Sequence, residues 1–442
     1  MGVFFGTDGI RGVVNKDLTS SIAFKCGNAV ATSLGSPTIL IGGDTRTTRS
    51  YLTSAFSSGA MSAGAKIIDI GVCPTAGIAY LTKLLKVDFG VVISASHNPK
   101  EYNGIKIFDT DGVKLGDKRE EMLERKFLHE VHNDYDRLGD YKQDFSLVKK
   151  YKDYLINCCS CRLDGLTIVI DGSNGASYKI APEVFSSLGA KVIKIHCQNN
   201  GAKINDNCGS TCPNTLSNAV KKHNADIGFA FDGDSDRIIA CDEHGNIVDG
   251  DMIIYVLGKY LKEQGKLAKN TLVGTRHTNM GLENSLKQYG INLIRTDIGD
   301  KYVIAKMEED SLSLGGEKSG HIIFRELATT GDGILTGVKV AELIHNSGKK
   351  LSELCDFELY PQVNIDCPVR EKMEIINSQK LQEIINKTEK DLGDNYRIMV
   401  RVSGTENKIR VMVEGLDEPR CFDSAKAIEK VVKELDKDTE SF

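Results

Sequence analysis

Short uninterrupted apolar runs alternate with amphipathic stretches along most of the chain. Gly64-Ala-Lys-Ile-Ile-Asp-Ile-Gly71 reads as a strand that follows a helix. The same pattern returns at Gly189-Ala-Lys-Val-Ile-Lys-Ile195 and at Gly290-Ile-Asn-Leu-Ile-Arg-Thr296. Each is followed by a second apolar run that ends in a polar loop, at residues 87–96, 225–232 and 311–317. Continuous apolar runs of this length suit strands buried on both faces by helices. Three such pairs predict an α/β fold of three similar α/β/α domains with mixed sheets. In such sheets binding loops gather beyond strand ends, so three equivalent loops are expected to converge on a central cleft.

The tail has another rhythm. Leu381, Ile384, Ile385 and Leu392 lie at helical spacing. Two strands at 396–402 and 408–413 then flank Ser403-Gly-Thr-Glu-Asn407, as in a hairpin with a five-residue loop. A last helix places Phe422, Ala425, Ile428, Val431, Val432 and Leu435 toward a core. The expectation is a smaller C-terminal α+β domain. The expected boundaries are 1–150, 151–250, 251–365 and 366–442.

Composition narrows the function. The chain has 442 residues, too many for one ordinary core. Its formal net charge of −5 gives no global basic field for nucleic acid, so an anionic substrate needs local cations. No apolar run approaches the ~20 residues of a membrane helix, and no signal peptide is visible. No membrane partner is therefore expected. Twelve scattered cysteines fit reduced thiols and a cytoplasmic location. Cys158-Cys159-x-Cys161 and Cys208-x-x-x-Cys212 lack the paired spacing of a zinc site and read as filler or exposed thiols.

Four loops carry candidate chemistry. Ser94-Ala-Ser96-His97-Asn98-Pro99 follows a strand directly, and Ser96 is a nucleophile if something activates it. Adjacency to His97 alone does not make a triad. Lys106 follows closely as a nearby cation. Asp232-Gly-Asp234-Ser-Asp236-Arg237 clusters carboxylates after an apolar strand, which is costly unless a cation balances them. Mg²⁺ suits oxygen ligands of this kind. A Ca²⁺ loop is the decoy, but its sixth position is Arg237 rather than the glycine of the sharp turn, and a strand precedes it. A solvated acidic turn is the remaining reading. Gly316-Glu317-Lys318-Ser319-Gly320-His321 can point Glu317 and Ser319 at adjacent sugar hydroxyls, with His321 as a proton shuttle, but taken alone it reads better as a polar turn. Arg401-Val-Ser403-Gly404-Thr405-Glu406-Asn-Lys-Ile-Arg410 combines an open backbone, hydroxyls and guanidinium forks that suit phosphate.

These four motifs, in this order, resemble the α-D-phosphohexomutase family along essentially the whole chain. The opening Phe5-Gly-Thr-Asp-Gly-Ile-Arg-Gly12 and Thr330-Gly-Asp-Gly-Ile-Leu-Thr336 are similar to the family's glucosamine-phosphate branch. Lys318 departs from the glutamine usual there, and Val402 and Asn407 stand where prolines are common. The resemblance implies a phosphorylated Ser96 that holds one Mg²⁺ per chain together with Asp232, Asp234 and Asp236. It implies a phosphosugar substrate gripped by Arg401, Ser403, Gly404, Thr405 and Arg410, with Glu317 and Ser319 on the ring. A hexose 1,6-bisphosphate would be the intermediate and a primer for Ser96. Lys106 and His321 are candidate proton acceptors, with Arg11, Arg237 and His97 beside them. The branch feeds UDP-N-acetylglucosamine to cell-wall precursors. Glucose or mannose phosphate is the close alternative substrate. A phosphatase and a non-catalytic sugar-phosphate sensor are the rival classes, but a sensor would lack the nucleophile or the acidic trio. The oligomeric state is left open, a homodimer included.

Overall fold

The structure is a computed structural model that describes residues 4–6, 9–127, 138–403 and 406–438. The chain forms two compact units: Met1–His277 with Gly290–Asp356, and Thr278–Tyr289 with Phe357–Phe442.

The first unit contains three mixed sheets. The first is made of β1 (Phe5–Gly6), β2 (Gly9–Val13), β3 (Thr38–Gly43), β4 (Lys66–Val72), β5 (Phe89–Ile93), β6 (Tyr102–Asp109) and β7 (Asp140–Gln143), in the order β1-β2-β6-β5-β3-β4-β7. The second has β8 (Thr167–Asp171), β9 (Lys191–Ile195), β10 (Ile227–Phe231), β11 (Ile238–Cys241) and β12 (Ile247–Val248), in the order β12-β11-β10-β8-β9. The third has β13 (Thr271–Thr275), β14 (Asn292–Thr296), β15 (Leu314–Gly316) and β16 (Ile322–Phe324), in the order β14-β13-β15-β16.

One four-strand pattern underlies all three sheets. β6-β5-β3-β4, β11-β10-β8-β9 and β16-β15-β13-β14 share order and direction. In each, a central strand pairs in parallel with two neighbours, and one of these turns back into an antiparallel partner. The turning strands β5, β10 and β15 are buried throughout. This burial is why they read as unbroken apolar runs. Their turns into β6, β11 and β16 hold Ser96, the aspartate trio and Glu317, so the expected equivalence of the three loops is met in topology.

Helices cover the sheets and close the cores. Val30, Ile39, Phe56, Val91 and Ile107 belong to one cluster around the first sheet, and burying each such side chain contributes about 1.5–3 kcal/mol. Among the described residues no helix is long and apolar enough to cross a membrane.

The second unit is a three-stranded antiparallel sheet in the order β17-β19-β18, made of β17 (Gln362–Pro368), β18 (Tyr396–Val402) and β19 (Lys408–Gly415). The helices Gln379–Leu392 and Glu418–Asp438 pack on it through Leu381, Leu392, Ala425, Ile428 and Val432. One residue departs from expectation. Phe422 is 48% exposed, and Cys421 faces the core instead. Cys421, Ala425, Ile428 and Val432 share one helical stripe, and Phe422 lies about 100° away from it. Its ring lies under the Lys426 ammonium, 5.6 Å from the centroid.

Candidate active site

The loop between β5 and β6 is held by its main chain. Arg46 is fully buried. Its Nη2 donates to the carbonyls of Ser96 (3.0 Å) and Asn98 (2.7 Å), and its Nη1 to those of Pro99 (2.5 Å) and Tyr102 (2.9 Å). Asp44 neutralises it through Nε at 3.0 Å. The same carboxylate accepts from Ser94 Oγ at 2.5 Å, and that hydroxyl in turn accepts from Ser96 N–H at 2.9 Å. Asn205 Nδ2 adds a donor to Ser96 O at 2.8 Å. These bonds hold Ser96 at φ 51°, in the left-handed region that a non-glycine residue adopts only when its surroundings enforce it.

So placed, the Ser96 hydroxyl donates to Asp232 Oδ2 at 2.6 Å across 136 residues of sequence. Asp232, Asp234 and Asp236 are all buried, with donor oxygens within 4.8 Å of one another. The aspartate loop is packed backbone to backbone. A Cβ on Gly175 would lie 2.4 Å from Gly233 O, so the close approach needs glycine there. Ala176 N donates to Gly233 O at 2.8 Å, and Thr75 Oγ1 donates to Asp234 Oδ2 at 2.6 Å.

The electrostatics call for a cation. Lys106 Nζ lies 3.0 Å from Asp234 Oδ2 and 3.4 Å from Asp236 Oδ2. Lys106 and Arg237 set two positive charges against three carboxylates, so one negative charge remains. Burial and the two neighbouring aspartates drive the Asp232 carboxyl well above its usual range. Asp236 Oδ1 is buried without a hydrogen-bond partner. A small hard cation at this point would neutralise the trio and coordinate that oxygen. The residues present therefore fit a divalent metal.

Around this centre stand the other expected groups of the first unit. Arg11 Nη1 donates to Asn98 Oδ1 at 3.0 Å. His97 Nδ1 lies 3.3 Å from Ser96 Oγ and accepts from Arg237 Nη1 at 3.2 Å. Burial, Arg237 and Arg11 push that imidazole down to about 4, so it is neutral at pH 7. His321 is buried, bridged through its backbone to Arg237, with Nε2 4.0 Å from Asp236 Oδ2. The turns after β5, β10 and β15 thus share one centre.

The residues Glu317, Lys318 and Ser319 are held differently. Glu317 is half-buried and accepts from Gly299 N–H at 3.0 Å, while Ser319 is exposed. Lys318 turns away. Its carbonyl accepts from Gly250 N–H, and its ammonium lies 3.9 Å from Asp249, the N-cap of the helix Gly250–Glu263. In the second unit, Arg401 and Arg410 stand directly opposite in the β18–β19 ladder. Arg410 reaches Asp366 at 3.5 Å and Glu406 at 3.6 Å. Burial and Arg410 hold the Arg401 guanidinium below its ordinary value. Like charges across a ladder are costly unless an anion joins them. Ser403 is buried, and Gly404 and Thr405 lie outside the described residues.

Sequence reasoning missed Arg46, Asp44, Thr75 and Asn205. Their signal was faint: for Asp44 and Arg46 it was only that Gly42-Gly-Asp44-Thr-Arg46 closes a strand as the other loops do. A second acid-bearing cluster, Asp171, His196 and Cys208, also has its donor atoms within 4.8 Å. There the carboxylate already accepts from Ser173 N, Gly209 N and His196 Nδ1, which makes it a brace between loops. All twelve cysteines are free thiols.

Comparison with known proteins agrees with this architecture. Models of the phosphoglucomutase/phosphomannomutase family match in four parts: α/β/α domain I at residues 2–134, domain II at 149–245, domain III at 249–360 and the C-terminal domain at 363–437. The matches define an isomerase of the phosphotransferase kind. The chain belongs to the phosphoglucomutase/phosphomannomutase family, the α-D-phosphohexomutases. It is 46% identical over 446 residues to a phosphoglucosamine mutase of Caldicellulosiruptor bescii, with 98% of this chain and 99% of that protein covered. It is 47% identical to one of Caldicellulosiruptor saccharolyticus, with 94% and 96% covered. Among solved structures, a phosphoglucomutase/phosphomannomutase family protein from Burkholderia thailandensis superposes with a TM-score of 0.83 at 22% identity, covering 97% of each chain. An Aspergillus fumigatus N-acetylphosphoglucosamine mutase, in complex with GlcNAc-6P and magnesium, gives 0.69 at 16% identity, covering 98% of this chain and 96% of that one.

Proposed function

We propose that the chain interconverts glucosamine 6-phosphate and glucosamine 1-phosphate through a phosphorylated Ser96 and a glucosamine 1,6-bisphosphate. The observation that carries this reading is the 2.6 Å contact between Ser96 Oγ and Asp232 at the buried aspartate trio. The substrate assignment rests on the relatives above, which are phosphoglucosamine mutases over nearly their full length.

In this reading residues 1–150 supply the nucleophile, 151–250 the carboxylates, 251–365 the sugar contacts and 366–442 the phosphate clamp. Asp232, Asp234 and Asp236 would hold Mg²⁺ together with the Ser96 phosphate. When bound, the ion neutralises charge on the transferring phosphoryl group. Arg401, Ser403, Gly404, Thr405 and Arg410 bind the non-reacting phosphate, and Glu317 and Ser319 orient the ring. The free sugar hydroxyl attacks phosphorus on Ser96, the phosphorus–Oγ bond breaks, and the bisphosphate forms. After it turns over, Ser96 Oγ takes the other phosphoryl group.

The attacking hydroxyl must lose a proton. Lys106, paired with two carboxylates, acts as a fixed positive charge. His97 Nδ1 is engaged by Arg237. His321, whose Nδ1 is buried without a hydrogen-bond partner, is left as the acceptor. The twelve free thiols favour a reducing, cytoplasmic setting.

The test is to measure intact mass after incubation with glucose 1,6-bisphosphate, and kcat/KM for glucosamine, glucose and mannose phosphates, with and without chelator. A phosphoryl mass gain on Ser96, loss of turnover in chelator and preference for glucosamine phosphate are expected. No mass gain would overturn the mechanism, full turnover in chelator the metal, and a faster glucose or mannose reaction the substrate.

A further inference from the structure

A cavity of about 470 Å³ lies away from the serine–aspartate centre, between the first and second sheets of the first unit. None of the residues placed in the reaction lines it. Its size falls in the range of small-molecule sites, about 300–1,000 Å³. Four cations line it, Arg49, Lys149, Lys152 and Lys179, against one carboxylate, Glu183. Asp69 and Asp153 pair with Arg49 and Lys149, so the wall and its ion-pair partners together carry one excess positive charge, in a chain whose formal charge is −5.

The cations are only partly satisfied from within. Arg49 Nη1 is buried, makes no hydrogen bond and stands 3.8 Å from Asp69 Oδ1. Lys152 meets Glu183 at 2.8 Å, and Lys149 meets Asp153 at 2.5 Å as an exposed i,i+4 pair of small value. Lys179 is exposed. The rest of the wall is apolar and aromatic, with Ile70, Val72, Val148 and Ile180 beside Phe145 and Tyr178. Phe145 is 58% exposed, a large ring left open to solvent at the mouth.

The backbone adds to the field. The helices Arg49–Ser62, Val148–Asn157 and Ser177–Ser187 all begin on this wall. None has an acidic residue in its first turn or a capping hydrogen bond from the residue before it. The first turns of three helices therefore border one space lined by cationic side chains.

We infer that this cavity is a binding site for a phosphate-bearing organic anion with a flat, apolar portion, of the nucleoside diphosphate class. Arg49, Lys152 and Lys179 take the phosphates, and Phe145 and Tyr178 take the flat part. The site adjoins the reaction centre through Ala176, which lines the cavity and donates to Gly233 of the aspartate loop.

The experiment is calorimetric titration of the full chain with ADP and, separately, with inorganic pyrophosphate, repeated on Lys152→Glu/Lys179→Glu. The wild-type protein is expected to bind ADP at least about tenfold more tightly than pyrophosphate, because only ADP uses the two rings. The double variant, with its mutase turnover unchanged, is expected to weaken ADP binding at least tenfold. Equal affinity for ADP and pyrophosphate would overturn the organic part of the proposal. No ADP binding at millimolar concentration, or undiminished binding by a folded double variant, would overturn the site itself.

Discussion

The turns after β5 and β10 are built unlike the turn after β15, although the three occupy equivalent places in equivalent sheets. The first two are fused. Ser96 and Ser235 are both held at positive φ, and Arg46, Asn205 and Thr75 tie the serine and aspartate loops to their surroundings. Both serines and all three aspartates are buried. The third turn keeps Glu317 and Lys318 half-buried and Ser319 exposed. Groups that transfer a phosphoryl unit must be in place before substrate arrives, because reorganising them at the reaction step costs rate. Groups that grip a sugar ring need access to solvent and tolerate looser support.

The largest way to break this contrast is Ser96→Ala. The expected outcome is a loss of at least about 10⁴-fold in kcat with the fold intact by circular dichroism. Turnover near wild type would end the assignment of rigidity to chemistry. Arg46→Ala comes next. It leaves Asp44 buried without its partner, and a stability loss of about 3–5 kcal/mol in chemical denaturation is expected. A loss under about 1 kcal/mol would show that the serine loop does not depend on this clamp.

Asp332 tests how the third sheet is tied down, since it follows Gly331, which packs on the His321 ring. Burial raises its carboxyl to about 6, although Leu335 N and Tyr151 Oη both donate to it. The folded state therefore holds this proton more tightly than the unfolded chain. The group's contribution to stability falls as pH rises from about 4 to about 6 and is level above that. Asp332→Asn keeps the cap and removes the titration. Relative to wild type it should gain stability over that window, by roughly 3 kcal/mol at most. A constant difference between the two proteins across pH 4–7 would contradict the assignment.

Smaller effects sharpen the recognition side. Glu317→Gln is expected to raise KM about tenfold, near 1.4 kcal/mol, with kcat nearly unchanged. A fall in kcat alone would move Glu317 into the chemistry. Lys318→Gln should shift KM by less than about threefold, because its half-exposed approach to Asp249 is worth at most about 1 kcal/mol. A larger change would mean that Lys318 reads the sugar after all.

Much of this was legible before any coordinates. β5, β10 and β15 announce themselves as apolar runs because each is covered on both faces, and the loops after them carry side chains that a plain turn does not need. Arg46 and Asp44 were not legible, because Arg46 reaches main-chain carbonyls some 50 residues away and Asp44 accepts from Ser94 at the same remove, contacts that sequence patterns do not record. Phe422 was misplaced because apolar character alone does not fix a helical phase. A ring one position off the stripe is covered by a lysine rather than a core.

The grip of Arg46 has a further consequence. Four of its hydrogen bonds end on peptide oxygens, which every amino acid offers alike. A clamp of this kind is blind to side-chain identity. The main-chain grip on the serine therefore does not depend on the side chains of His97 and Asn98, which are left to bond Arg237 and Arg11 instead.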